Sequence, residues 1–304
     1  MSTYSDAGVS IDAGNTAVEL MKAHLAKARR PEVVGDIGGF AGLFDISAAK
    51  NMKKPLLATS TDGVGTKTEI ARALGKYDTI GEDVGGETAE HPGLLDEDEF
   101  DIAGAATGIV DEANLLGEHR VKEGDVLIAM PASGFHANGF SLVRHIIKTK
   151  NLSLDYVVSE YGKTSGEVFL TPTEIYALDC LALTKAMQEH MHAYSHITGG
   201  GIAENTARVI PSHLTAVYDR STWSLPVEME FMASMGGVPQ EDMERTWNCG
   251  IGMTAILSAS EADRALRTLA ARGMKAWVAG VIEKRDERGG NTAGSTLVGH
   301  YKAR

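Results

Sequence analysis

The sequence predicts an α/β protein, α+β in the arrangement of its elements, divided into two domains. Three observations lead there. At 304 residues with 43% hydrophobic side chains, the chain is long enough to build more than one core. Its second half alternates short apolar runs with longer runs of helical period. Between the halves, Asp111 to Glu123 is polar and turn-like, which marks a boundary. The expected domains are residues 1–111 and 112–304.

Taken in order, Pro55 to Thr61 reads as a short buried strand running into Asp62 and Gly63. Asp101 to Val110 reads as a second, its small residues suited to close packing. A third, Val126 to Met130, ends at Pro131-Ala-Ser-Gly134. Phe140 to Ile147 is helical, and so is the longer run from Pro172 to His190. In that run Ile175, Leu178, Leu181, Ala182 and Met187 approximate one apolar face. Ser260 to Gly273 carries the clearest helix signature. Ser260 serves as N-cap, Asp263 lies in the first turn, Ala262, Leu266 and Leu269 share a stripe, and Gly273 stands at the C′ position. Strands near 214–218, 251–257 and 276–282 complete the alternation.

Charge and composition exclude several functions. Twenty-nine basic against 41 acidic residues give 29 − 41 = −12, with a pI near 5.3. A general nucleic-acid or membrane-surface binder needs a basic face, so neither is expected. No run approaches the roughly 20 apolar residues that span a bilayer. The opening Met1-Ser-Thr-Tyr-Ser-Asp6 has no basic or apolar leader pattern, and the expected location is the cytoplasm. Cys180 and Cys249 are too few for a zinc ribbon or a disulfide framework. Cys249 has no sequence neighbour to lower its pKa and is expected to be buried and inert. His190 and His192, at the end of a helix, are expected at the surface.

Glycine is over-used, with 34 residues against an average near 7%, and it clusters where backbone turns sharply or approaches a ligand. Gly38, Gly39 and Gly42 form one such cluster. Thr61-Asp62-Gly63-Val64-Gly65-Thr66-Lys67 forms another, ending a strand with a carboxylate, two glycines and a lysine. These could supply a metal ligand, backbone N–H donors and a phosphate-facing charge; taken alone, a tight turn with a surface lysine is the better account. The spacing is not that of a Walker A loop. Ser133-Gly134-Phe135-His136-Ala137-Asn138-Gly139-Phe140-Ser141 and His196-Ile197-Thr198-Gly199-Gly200-Gly201 both open helices. The positive end of the helix dipole favours phosphate there, although ordinary capping explains each loop alone. Glu87 and Glu90, within Gly85 to Gly93, could face a cation or simply be solvated.

These segments, in this order, resemble the phosphoribosylformylglycinamidine cyclo-ligases, the aminoimidazole ribonucleotide synthetases of purine biosynthesis. The carriers begin with Tyr4 to Gly14, Arg30 to Val33, Gly38 to Gly42, Thr61 to Lys67, Tyr77 to Gly81 and Gly85 to Gly93. They continue with Ser133 to Leu142, Pro172 to Tyr176, His196 to Gly201 and Thr246 to Met253. The resemblance implies an N-terminal ATP-binding and dimerisation domain that contributes to a barrel-like sheet. It also implies a C-terminal phosphate and substrate domain, a mixed sheet covered by helices. The implied reaction is ATP-dependent closure of formylglycinamidine ribonucleotide to aminoimidazole ribonucleotide, by a homodimer using Mg²⁺. Phosphorylating the amide oxygen turns a poor leaving group into a good one, and the neighbouring amine then attacks.

By the same resemblance, Asp62 and Glu87 would hold the metal, Lys67 would lie near phosphates, and Gly38, Gly39 and Gly42 near the nucleotide. Gly63, Gly65, Thr66, Ser133, Gly134, Asn138, Gly139, Ser141, Thr198, Gly199, Gly200 and Gly201 would bind ATP or substrate phosphate. His136 and His196 would carry protons. The sequence departs from the family in two places. Asp83-Val84-Gly85 joins directly where the family has a long segment with an acidic Asn-Asp motif, a strand and a helix, and Phe135 stands where a smaller residue is expected. Two alternatives are another ATP-using enzyme of the superfamily and a non-catalytic nucleotide- or phosphate-binding remnant. Selenophosphate synthetase is disfavoured, since no cysteine precedes Cys180.

Overall fold

The computed structural model describes residues 32–34, 43–80, 87–89, 101–159, 161–285 and 294–303. The chain packs as two units. The first draws on residues up to Gly63 and on Gly86 to Leu115, the second on Val64 to Gly85 and on Leu116 to Arg304. One junction falls between Leu115 and Leu116, inside the polar stretch and flanked by short 3-10 helices at Glu112–Asn114 and Glu118–Arg120. Residues 64–85 group with the second unit, whereas an undivided 1–111 was expected. The reason is a set of ties to the segment 165–171. Lys67 Nζ donates to the Thr171 carbonyl, Thr79 Oγ1 to the Leu170 carbonyl, and Lys76 pairs with Glu167.

In the first unit, β1 (Val33–Val34) pairs with β2 (Leu43–Phe44). β3 (Pro55–Gly63), β4 (Glu87–Ala89) and β5 (Asp101–Asp111) form an antiparallel sheet in the order β3-β5-β4. β3 matches β5 residue for residue, from Pro55 opposite Asp111 to Gly63 opposite Ala103. The expectation that β3 is buried is overturned: it is exposed almost throughout, with Leu57 at 68%. Apolar Leu56 and Leu57 give way to Thr59-Ser-Thr61, so the strand has no continuous apolar face to bury.

The second unit is built on one six-stranded sheet. Its strands are β6 (Val126–Pro131), β9 (Met191–His196), β10 (Leu214–Asp219), β11 (Ile251–Leu257), β12 (Trp277–Lys284) and β13 (Ser295–Val298). They run in the order β13-β10-β12-β6-β11-β9, antiparallel except for β10 beside β13. A small hairpin, β7 (Val157–Val158) with β8 (Lys163–Thr164), lies outside this sheet. Leu127 to Met130 are consecutive and all fully buried, so β6 is covered on both faces.

Eight α-helices accompany the sheet among the described residues. They are α1 (Thr68–Leu74), α2 (Phe140–Lys150), α3 (Ser165–Phe169), α4 (Ala177–Met187), α5 (Gly201–Ala207), α6 (Val227–Gly236), α7 (Gln240–Thr246) and α8 (Ala262–Ala270). Leu183 and Met187 of α4 join Ala265 and Leu269 of α8 over Ile128, Met130 and Leu257. Burial of apolar surface, at about 25 cal/mol per Å², stabilises this layer.

Three expectations change here. α4 begins at Ala177, and its buried side is Leu183 and Met187, whereas Ile175, Leu178 and Leu181 are 60 to 68% exposed. Apolar residues ring this helix, so periodicity alone could not choose the buried side; packing against α8 and the Asp179–Arg272 ion pair do. Ser260 lies inside a 3-10 turn, Ala259–Glu261, and the residue preceding α8 is Glu261. Gly273 does adopt the left-handed conformation that ends the helix, at φ +87°.

His192, expected at the surface, is buried. β9 begins immediately after His190, and its second residue points into the unit, where His192 Nδ1 lies 2.6 Å from Asp125 Oδ2. Asp125 also accepts the Lys122 N–H at 2.7 Å. Asp125→Ala therefore leaves a buried imidazole and a backbone donor without their acceptor. It should lower stability by about 3 kcal/mol in urea unfolding, whereas an unchanged midpoint would mean the pair is inert.

Candidate functional site

The loop from β6 to α2 is held by buried polar side chains and by contacts that only glycine permits. Ala132 N–H donates to the Gly250 carbonyl, and Ser133 Oγ to the Pro172 carbonyl at 2.6 Å. Fully buried Asn248 donates to the Gly134 carbonyl and accepts from the Gly250 N–H, each at 2.8 Å. Gly139 caps α2 at φ +72°, and a Cβ there would lie 2.4 Å from the Trp247 ring. Phe135, where a smaller residue was expected, is 2% exposed and edge-on to Phe140, Phe169 and Trp247. It plugs the space beneath the loop.

The second loop meets the first directly: Gly199 N–H donates to Asn138 Oδ1 at 3.3 Å. Its internal clamp is Asn205, on α5 and 3% exposed. Asn205 Nδ2 reaches the carbonyls of Thr198, Gly199 and Gly201 at 3.2, 3.1 and 2.8 Å, and Oδ1 accepts from Thr198 Oγ1 at 3.1 Å. The three glycines have different reasons. Gly201 has φ +66°, and a Cβ there would lie 1.7 Å from the Glu244 carbonyl oxygen, so the fold itself requires it. Gly200 also has positive φ, at +96°. Gly199 has neither: its φ is not positive, and a Cβ would meet nothing within 4 Å. The turn does not need glycine at 199.

Behind these loops sits a basic cluster. Lys67, expected on phosphate or else at the surface, is fully buried; its Nζ donates to the Thr171 carbonyl at 2.8 Å and lies 5.6 Å from the Phe140 ring centre. Gly65 turns the chain at φ +71°, and Thr66 Oγ1 reaches Ser141 Oγ at 3.3 Å. His136 is 1% exposed in a left-handed backbone conformation at φ +58°. Its Nε2 accepts the Ser133 N–H at 3.2 Å, and its Nδ1 has no hydrogen-bond partner among the described residues. Burial, with His196 and Lys67 nearby, pulls its pKa down to about 3, so the ring is neutral at pH 7. His196, at the exposed end of β9, stands edge-on to Tyr176 at 6.4 Å. Tyr176 donates to the Pro131 carbonyl at 2.7 Å, and burial pushes its phenol above the usual range. Gly252 makes room for this group: a Cβ there would lie 1.9 Å from Tyr176 Oη and 2.5 Å from His136 Cε1. A cavity of about 250 Å³ opens beside Ser133, lined by Glu174, Asp179, Arg272 and Lys275.

The structure thus gathers Thr66, Lys67, Ser133, Gly134, His136, Asn138, Gly139, Ser141, His196, Thr198 and Gly199 to Gly201 within the second unit. Asp62 and Gly63 close β3 in the first unit, where Asp62 Oδ1 accepts the Gly63 N–H at 2.8 Å. Asp62 lies opposite Gly104, and Glu87 opposite Ala103, so the two positions fall in adjacent rows of the sheet, two strands apart. Among the described residues no group of three or more His, Cys, Asp or Glu could hold a metal. Gly38, Gly39 and Gly42, Glu90, and the Asp83-Val84-Gly85 junction lie outside the described residues. Cys249 is fully buried, its thiol pushed up to about 12 by burial, which fits an inert core residue. Asn205 and Asn248 were missed in the sequence; only the spacing of Asn205 to Thr198 and Gly201, near two and one helical turns, could have flagged Asn205.

Asn205→Ala should lower stability by about 2–4 kcal/mol and speed amide exchange at Gly199 to Gly201, because buried carbonyls lose their donor. Asn205→Asp should be no better, since a carboxylate cannot donate; a silent Asp variant would refute the clamp. For His136 the folded pKa lies below the unfolded one, so the unfolded chain binds more protons between pH 6.5 and 3. Stability should fall as pH drops through that window, by up to about 1.4 kcal/mol per unit from this group. In His136→Asn, which tolerates positive φ, the dependence should flatten; an identical pH profile would remove His136 as its source.

Residues 122–290 match the family model described as AIR synthase related protein, C-terminal domain. Solved structures share the fold. Thiamine-monophosphate kinase from Stenotrophomonas maltophilia superposes with a TM-score of 0.56 at 12% identity, covering 91% of this chain and 94% of that one. The hydrogenase maturation protein HypE of E. coli gives 0.52 at 14% identity, covering 94% of each. A HypE in complex with ATP gives 0.51 at 13%, covering 92% of this chain and 91% of that one. Since the matched residues make up more than half of the chain and include both loops and their asparagine clamps, this protein belongs to the AIR synthase related family through its C-terminal domain.

Proposed function

We propose that this protein is an ATP-dependent cyclo-ligase that closes the imidazole ring of formylglycinamidine ribonucleotide, giving aminoimidazole ribonucleotide, ADP and phosphate. The observation that carries the reading is Gly199, a glycine the turn does not require, hydrogen-bonded to Asn138 of a second loop that opens α2. Two such loops braced against each other suit a substrate or nucleotide phosphate. The collinear motifs from Tyr4 to Ile282 support the particular reaction over others of the family. ATP as co-substrate is in keeping with a structure of the same fold that holds ATP.

In this reading Ser133, Gly134, Asn138, Ser141 and Thr198 to Gly201 hold phosphate, and the buried ammonium of Lys67 makes the region behind them positive. Neutral His136 fixes the loop through Ser133 and is too weak a base to take a proton at pH 7, so proton transfer falls to exposed His196. Asp62 is an exposed carboxylate, suited to Mg²⁺, which takes one or two protein carboxylates and completes its shell with phosphate oxygens and water. Bound there, the ion would neutralise charge on the transferring phosphoryl group. A homodimer is part of the proposal: β3 pairs only with β5 among the described residues, and its exposed outer edge suits a second copy. No helix is long and apolar enough to cross a membrane among the described residues, and a cytoplasmic location accords with the pathway proposed.

A second reading, a non-catalytic phosphate or nucleotide binder, draws on the same two braced loops, which suit phosphate with or without turnover. ADP release separates the two. The cyclo-ligase releases ADP only with formylglycinamidine ribonucleotide present; ATP binding without turnover would leave the second reading, and substrate-independent ADP release another ATP-using enzyme. Gly199→Val should cut kcat/KM by about tenfold or more with Tm nearly unchanged. Full activity in that variant would remove the phosphate assignment from this loop.

A further inference from the structure

A second concave site lies within the second unit, between α1 and α2, with a volume of about 440 Å³. Its α2 wall is the side away from the core residues Phe140, Val143 and Ile146. Three cations line it, Arg72, Arg144 and Lys148, against one carboxylate, Glu69. That is a formal +2 on a chain whose total is −12, a local inversion of sign. Glu69 Oε2 accepts from Arg72 Nη2 at 2.8 Å and lies 3.6 Å from Arg144 Nη2, so one acid orients two guanidinium groups. Lys148 makes no ion pair among the described residues. Ile70 and Leu154 add apolar surface to the lining.

We propose that this pocket binds a phosphomonoester with a flat or apolar body, at a site that shares only Ser141 with the first glycine loop. Oriented guanidinium groups match phosphate oxygens in pairs, and an ammonium adds a point charge. A phosphomonoester supplies the anion that such guanidinium and ammonium groups favour. The apolar residues accept its organic part, and the volume lies in the range of small-molecule sites, roughly 300–1,000 Å³.

Pyridoxal 5′-phosphate is a direct probe, having a phosphomonoester, an aromatic ring and an aldehyde. With its phosphate on Arg72 and Arg144, the aldehyde condenses with the Lys148 amine, releasing water, and borohydride reduces the imine to a stable secondary amine. Peptide mass mapping of the full chain should show Lys148 labelled about tenfold or more above Lys150, an exposed lysine two residues on in the same helix. Inorganic pyrophosphate should protect Lys148, and Arg144→Ala should reduce its labelling about tenfold with unchanged Tm. Gly199→Val, in the loop, should label like the parent. Equal labelling of Lys148 and Lys150, or labelling indifferent to both pyrophosphate and Arg144→Ala, would overturn the proposal.

Discussion

A loop that passes through the interior must satisfy its own peptide groups, and in the second unit two buried asparagines do this. A carboxamide can donate and accept at once, so one side chain can close a turn whose carbonyls converge. Asn205 gathers three carbonyls of the Thr198–Gly201 turn, and Asn248 joins the Gly134 carbonyl to the Gly250 N–H. Without them the loops would need water inside the protein or a different path. The positive φ of Gly200 and Gly201, and the seat of Gly139 against Trp247, are consistent with that constraint. Placement of Asn138 beside Gly199 follows from it as well.

Electrostatics add a second layer. The chain carries a surplus of acid, yet the space behind the loops holds buried Lys67 and a histidine that burial keeps uncharged. Desolvation would penalise Lys67 heavily without partners, and the Thr171 carbonyl together with the Phe140 ring provides two. The result is a positive charge set back from the surface, near neutral His136. Such an arrangement favours an anion at the loops over a cation.

How much of this was legible in the sequence varies with the physics of each element. Strands β6, β11 and β12 were legible because apolar runs bounded by glycine and proline have few other outcomes. The loops were legible for the same reason, since glycine clusters before helices have a narrow set of uses. The buried side of α4 was not, because Ile175, Leu178 and Leu181 are as apolar as Leu183 and Met187, and only the partner helix decides. Nor was the burial of His192, whose acceptor Asp125 lies 67 residues away. Grouping of 64–85 with the second unit rests on hydrogen bonds to carbonyls near Thr171, which no side-chain pattern announces. Asn205 and Asn248 look like ordinary turn residues until the carbonyls they face are in place.

The central claim is that these braced loops serve a phosphoryl transfer to an amide oxygen followed by ring closure. Oxygen-18 tracing tests it most directly. In the proposed sequence the amide oxygen bonds to phosphorus and its bond to carbon breaks when the amine closes the ring. Formylglycinamidine ribonucleotide labelled with oxygen-18 at the formyl oxygen should therefore yield inorganic phosphate carrying the label, one atom per ADP formed. Unlabelled phosphate, with the heavy oxygen recovered in water or retained in substrate, would contradict the account.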